Sequence, residues 1–343
     1  MAELKTPVQL CDPDRPGRLN PAAAGWSRRP IQRCNLSGRW PRKKRWNYWA
    51  FTTETHLFSM TVSNIDYIGL AFLYVVDYEA ETVIEETIVS PLGRGCDLPE
   101  TVDEDVDFVG KTLELSMHHS TNASGRHKVA FAADMPTFGG KGLSARLDAI
   151  YPIDHDTLNV VIPWDDKRFQ FTAKHNTLPV TGSVEVGDDA PIEFGGEQSF
   201  ATLDFGRGVW PTRCVWNWGS ASGVRDGRTI GLNLGGKWTD GTGQTENGVC
   251  IDGVLAKNDH DLLWDYDPTD WMRPWRIKSP TNDDIDVEFT PRVDRVASTN
   301  AILIKSQVHQ LLGSYSGCVR DAEGHLVRFE NLIGWAEEHR AVW

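Results

Sequence analysis

The sequence has no run of about eighteen apolar residues, so no helix of the length that spans a bilayer is expected. Positive charge is scarce: 35 Lys and Arg face 48 Asp and Glu, a formal net charge of −13. Phosphate backbones need a positive surface, so nucleic acid is not an expected partner. Paired cysteine spacing is missing too. Cys11, Cys34, Cys96, Cys214, Cys250 and Cys318 are scattered with no CxxC, which argues against a zinc ribbon and a disulfide framework. The opening "MAELKTPVQLCDPDRPG" carries no apolar signal core. Reduced thiols in a cytoplasmic protein are the expectation. GxSxG, HExxH and P-loop motifs are absent, and "GTGQTENG" lacks the strand–helix setting of a dinucleotide site. No cofactor and no metal ion are therefore expected. His118, His119 and His127 lack supporting carboxylate spacing and read as ordinary histidines.

Long helical periodicity is rare, whereas period-2 alternation between turn signals is common. "RTIGLNLGGKW" puts Ile230, Leu232 and Leu234 on one face and Gly231, Asn233 and Gly235 on the other. "DIDVEF" and "RFQFTAKH" alternate likewise, and "YIGLAFLYVVDY" reads as a buried strand. Asp226-Gly227, Asp252-Gly253 and Glu323-Gly324 read as hairpin turns, where glycine accepts a positive φ. The pattern predicts an all-β antiparallel protein with helix only in short pieces, such as 140–148. Residues 1–40, rich in Pro, Gly and Arg, read as an arm. The acidic, glycine-rich 184–198 segment suggests a boundary between two β-rich halves, 41–183 and 184–343.

Tryptophan is concentrated late: nine of fourteen lie between Trp210 and Trp343. In "CVWNW", alternation places Cys214, Trp216 and Trp218 on one face. Asn233 is flanked by glycines, which leaves room for close approach. Aromatic walls with a few polar groups describe a small-molecule pocket. Glu246, Asp204 and Asp240 are the candidate acids, since a carboxyl among tryptophans has its pKa raised. Trp210, Trp216, Trp218 and Trp238 are the candidate walls. Arg207 is expected to orient a carboxylate, and Asn233 and Asn247 to hold a polar end of the ligand. A tryptophan-packed core with Asp–Arg loop ties is the bland alternative. The basic run Arg42–Arg45 lies between Trp40 and Trp46 and reads as placing Lys44 in a pocket rather than as a nucleic-acid surface.

The segments "LDFGRGVWP", "WNWGSASG", "GLNLGGKWTDGTGQTEN", "PRVDR", "GSYSG" and "GWAEEH", with "GWSRRP" and "KRWNYW" near the start, resemble the bacterial family catalogued as domain of unknown function 2804. That family is similar, more distantly, to two-lobed lipocalin-like proteins that include carotenoid 1,2-hydratases, tocopherol-cyclase-like proteins and fungal pericyclase-type cyclases. The resemblance implies two lipocalin-like β-barrel halves with an apolar small-molecule ligand in or between them. It also implies cofactor-independent acid catalysis of the hydratase, dehydratase, isomerase or cyclase type. A lipid or isoprenoid carrier and a carbohydrate-active protein are the competing expectations.

Overall fold

The computed structural model describes residues 1–300 and 304–343. The chain is all-β, in two curled antiparallel half-barrel sheets that match two lipocalin-like halves. The only helical turns among the described residues are Pro21–Ala23 and Phe138–Gly140.

The first sheet runs, edge to edge, through Thr82–Pro91, Ile68–Asp77, His56–Asn64, Lys43–Thr52, Phe200–Val209, Phe169–Val186, Leu143–Ile150, His127–Met135, Glu114–Thr121 and Val106–Val109. Leu158–Pro163 adds to the start of Phe169–Val186, and Trp26–Ser27 adds to it in turn. The second sheet runs through Val254–Asn258, Asn247–Ile251, Arg228–Gly236, Arg213–Arg225, Leu326–Val342, Lys305–Arg320, Ile285–Asn300, Trp275–Lys278 and Leu263–Asp265. The chain changes sheet between Val209 and Arg213, downstream of the 184–198 segment. Residues 1–40 lie against the first lobe, where Leu10, Cys11, Leu19, Ala23 and Cys34 join its core.

Alternation decides what each lobe buries. In the first, Trp49, Phe51, Phe171, Ala173, Leu203 and Phe205 point inward. In the second, Ile230, Leu232, Leu234, Val287 and Phe289 do the same. The opposite faces of the central strands are also covered, because the two sheets meet there. Tyr48, Ala50 and Tyr74 of the first pack on Trp218, Leu312 and Trp335 of the second. Each fully buried large apolar side chain contributes roughly 1.5–3 kcal/mol.

The expected hairpins form, with positive φ at both Asp226 (51°) and Gly227 (73°), and at both Asp252 (52°) and Gly253 (83°). The helix expected at 140–148 does not form. Leu143–Ile150 is a strand, because Leu143, Ala145, Leu147 and Ala149 all face the first core at period 2. Phe169–Val186 carries a bulge between His175 and Leu178, with Thr177 at φ 54°. The bulge drives Asn176 and Thr177 onto the second sheet. Asn176 Nδ2 donates to Leu232 O at 3.1 Å, and Thr177 N donates to Ser222 Oγ at 3.1 Å.

Gly206 leaves space for two side chains on the inter-sheet face. A Cβ there would lie 2.2 Å from the Trp46 ring and 2.6 Å from Gln170 Nε2. Gly206→Ala is expected to cost roughly 1–3 kcal/mol through overpacking. The readout is a lowered urea midpoint at unchanged slope, and a midpoint equal to wild type would refute it.

Candidate functional site between the two sheets

Two rows of side chains meet where the sheets face each other. In the first sheet, Asp204 lies across from Tyr48 on one side and Lys174 on the other. In the second, Trp218 lies across from Glu337 on one side and Gly235 on the other. Glu246 fills the space above Gly235, where a Cβ would fall 2.3 Å from Glu246 Cγ.

Lys174 joins the rows. Its Nζ lies 2.9 Å from Asp204 Oδ2 and 3.3 Å from Glu246 Oε2, and 4.0 Å from the Trp218 ring centroid. Burial opposes the ammonium charge, but the two carboxylates outweigh it and its pKa is raised. Glu246 Oε1 accepts from Trp238 Nε1 at 2.6 Å. Burial raises the Glu246 pKa, with Lys174 pulling it back. Asp204 Oδ1 accepts from Thr172 Oγ1 at 3.2 Å.

Glu337 is the residue that sequence reasoning missed. Its one side-chain hydrogen bond comes from Trp216 Nε1, at 3.0 Å. Burial pushes its carboxyl up to about 7, against the pull of Trp216, Lys174 and Arg295. Glu338, next in the chain, points the other way and bonds Lys237, Tyr266 and Arg340. Exposure separates the carboxyls. Asp204 keeps 13% of its side-chain surface and Glu337 keeps 7% of its surface, whereas Glu246 keeps 1%. Trp46 and Trp216 stay half-buried at the edge of this packed crevice, whose central side chains are themselves buried.

The structure brings Asp204, Glu246, Trp216 and Trp218 together between the sheets. Trp210 and Trp238 stack at 5.2 Å in a cluster with Trp46, Trp164, Trp216 and Trp343. The remaining candidates serve the fold. Arg207 is on the opposite face of its strand from Asp204. It bonds the carbonyls of Pro99, Trp46 and Gly206 and the side chain of Asn47, so it orients no carboxylate in the crevice. Asp240 is exposed and caps a turn through Lys237 N at 2.8 Å. Asn233 links Trp218 Nε1 to the Glu246 carbonyl, and Asn247 links Gly235 N to the His260 carbonyl. Their amides are occupied by these bonds rather than offered to a ligand. Lys44 is fully buried, 4.8 Å from the Tyr67 ring centroid and 5.3 Å from that of Trp343. Lys174 fills the space between Asp204 and Glu246 that a glycoside would need. Among the described residues, Asp321, Glu323 and His325 come within metal-ligand reach of one another, but Asp321 bonds the backbone of its own turn and Arg228.

The chain matches, over residues 1–343, the family described as Domain of unknown function (DUF2804), and it belongs to that family. No curated protein matches the sequence. Among solved structures it is similar to CghA with Sch210972 (TM-score 0.49, 13% identity, 88% of each chain). It is also similar to a putative AttH from Nitrosomonas europaea (TM-score 0.47, 10% identity, 89% of this chain and 93% of that one). A third is kievitone hydratase from Nectria haematococca (TM-score 0.45, 10% identity, 87% of this chain and 88% of that one).

Two predictions follow from the charges. Lys174→Met leaves Asp204 and Glu246 buried without their cation and is expected to cost roughly 3–5 kcal/mol. Urea unfolding reads this, and a midpoint equal to wild type would refute it. Glu337 has the opposite sign from an ion-paired acid. The unfolded carboxyl loses its proton near 4.5 and the folded one near 7, so Glu337 lowers stability as pH rises across that window. Glu337→Gln is expected to be more stable than wild type at pH 8, by up to about 3 kcal/mol, and equal to it at pH 4. Equal stability at both would contradict the raised pKa.

Proposed function

We propose that the crevice between the sheets is an acid-catalytic site for an apolar small molecule of isoprenoid or polyketide-like character. One observation carries the reading: Glu337 is buried across from Trp218 with Trp216 Nε1 as its side-chain hydrogen-bond partner, a setting that pushes its carboxyl up to about 7. A neutral carboxyl is a proton donor near working pH, which is what protonation of an alkene needs. Glu337 is the general acid of this reading. Asp204 and Glu246, engaged by Lys174, set the field instead.

That field has the right sign. With Glu337 protonated, two carboxylates face one ammonium, so the cluster is net negative toward a developing carbocation. The faces of Trp46, Tyr48 and Trp216 add π-density. Proton addition at one alkene carbon leaves the charge on its neighbour. Loss of a proton from the adjacent carbon to the Glu337 carboxylate gives an isomer. Capture by water and loss of a proton from the resulting oxonium gives an alcohol. Capture by a second alkene closes a ring and moves the cation onto it, and loss of a proton from the carbon next to that cation gives a cyclic alkene. In each case the lost proton restores Glu337, and no redox partner is needed.

The test uses purified protein with an isoprenoid-rich lipid extract in D2O, followed by mass spectrometry. Deuterium is expected to enter the carbon skeleton of one species, with a rate that falls above about pH 7. Glu337→Gln is expected to slow this by roughly 10²–10⁴-fold. Incorporation unchanged in Glu337→Gln would overturn the acid assignment. A bound lipid recovered unchanged and unlabelled from wild type would establish a carrier.

A further inference from the structure

The crevice uses the outer face of the first sheet. The inner face turns polar at one end of the lobe. Below that end the interior is apolar, with Met117, Val129, Phe131, Ala149 and Ala173. Continuing the same inward positions gives His119 on Glu114–Thr121, His127 at the start of His127–Met135, Tyr151 just past Leu143–Ile150, and His175 on Phe169–Val186. These four strands are consecutive neighbours in the sheet, so the four rings form one arc. The arc lines a cavity of about 470 Å³ together with Val102, Pro152 and Ile153.

Hydrogen bonding sets what the arc offers. Asn159 Nδ2 donates to Ser27 O at 3.1 Å and Thr157 Oγ1 at 2.9 Å, so its Oδ1 is the acceptor for His175 Nε2–H at 3.1 Å. His175 Nδ1 is then unprotonated and accepts from the Tyr151 hydroxyl at 2.8 Å. The Tyr151 oxygen is left with lone pairs only. His119 Nδ1 and His127 Nε2 share one hydrogen across 3.0 Å. Burial pushes His119 down to about 4 and His175 to about 3, and lowers His127, so the imidazoles bring no positive charge at neutral pH. The ionised groups lining the cavity are the exposed Asp103 and Asp154 against Arg29, whose guanidinium is engaged by the His155 carbonyl. Asp105 adds negative charge beside His119, where its Oδ1 accepts the His119 backbone N–H at 2.7 Å.

We propose that this cavity is a second small-molecule site, separate from the crevice, which takes a ligand with an apolar body and a protonated amine. Asp103, Asp154 and the Tyr151 oxygen accept its N–H groups. The apolar wall receives the body of the ligand. A carboxylate ligand would meet two carboxylates.

Tryptamine, its neutral analogue tryptophol and the anion indole-3-acetate differ mainly in the charge of the head group. Each is titrated into the full chain by calorimetry, with the histidine ring carbon–proton NMR signals recorded in parallel. Saturable one-to-one binding of tryptamine is expected, with the His119, His127 and His175 signals shifting. Tryptophol is expected to bind about tenfold more weakly, and indole-3-acetate more weakly still. Asp103→Asn with Asp154→Asn is expected to weaken tryptamine about tenfold and leave tryptophol unchanged. Both aspartates are exposed, and asparagine tolerates the positive φ of Asp154, so the fold is retained. The proposal fails if indole-3-acetate binds as well as tryptamine, if no probe saturates, or if binding leaves the three histidine signals unmoved.

Discussion

The ammonium of Lys174, held between a carboxylate of each sheet, is the contact on which the rest depends. The two sheets share no backbone ladder among the described residues, so side-chain contacts and isolated backbone bonds, such as Asp156 N to Gly253 O at 2.8 Å, join them. A buried lysine left unpaired would discharge, and a buried carboxylate left unpaired would protonate. Each of the three therefore fixes the state of the others. Around this centre the remaining joints are simpler. Asn176 and Thr177 dock through the bulge, Arg295 grips Glu85 across the junction at 2.8 and 2.9 Å, and the tryptophan cluster fills the floor.

The same centre creates the asymmetry among the acids. Asp204 and Glu246 are occupied by the lysine, while Glu337 takes its side-chain hydrogen bond from Trp216 and makes no direct ion pair. Burial raises its pKa more than Trp216, Lys174 and Arg295 lower it. The acid chemistry we propose here would thus be a by-product of how the junction distributes one positive charge among three carboxyls.

Much of this was legible in the sequence. Alternation located the strands, the Asp-Gly hairpins, and the shared face of Trp216 and Trp218. Asp204 and Glu246 stand out by their setting among glycine and tryptophan, and the structure places both on Lys174. Arg207 was misread for a reason alternation itself supplies: three residues from Asp204 on one strand means the opposite face. Lys174 was also visible, since "RFQFTAKH" places it with Gln170 and Thr172 on the wet face, but nothing local says that another sheet covers that face. Glu337 and Glu338 are chemically alike in "GWAEEH", and only the packing of the far sheet tells them apart. The segment at 140–148 was read as helix because small residues and charges hid a period of two. The polar arc at His119, His127, Tyr151 and His175 could not be seen at all, because its members come from four strands and meet only through register.

One strand, Phe169–Val186, serves both faces of the first lobe. Lys174 looks outward to the crevice, and its neighbour His175 looks inward to the cavity. Side-chain direction along a strand depends only on counting residues from the last paired position. Loss of a single codon between Phe169 and Lys174 would therefore bring His175 between Asp204 and Glu246 and Asn176 beneath Tyr151, whereas gain of one would bring Ala173 to the outward position and the lysine beneath Tyr151. Substitutions here can be tested by selection one at a time, but a change of length breaks both sites in one event. A change of length is tolerated far better at surface turns such as Asp226-Gly227, which lie outside both faces of this strand.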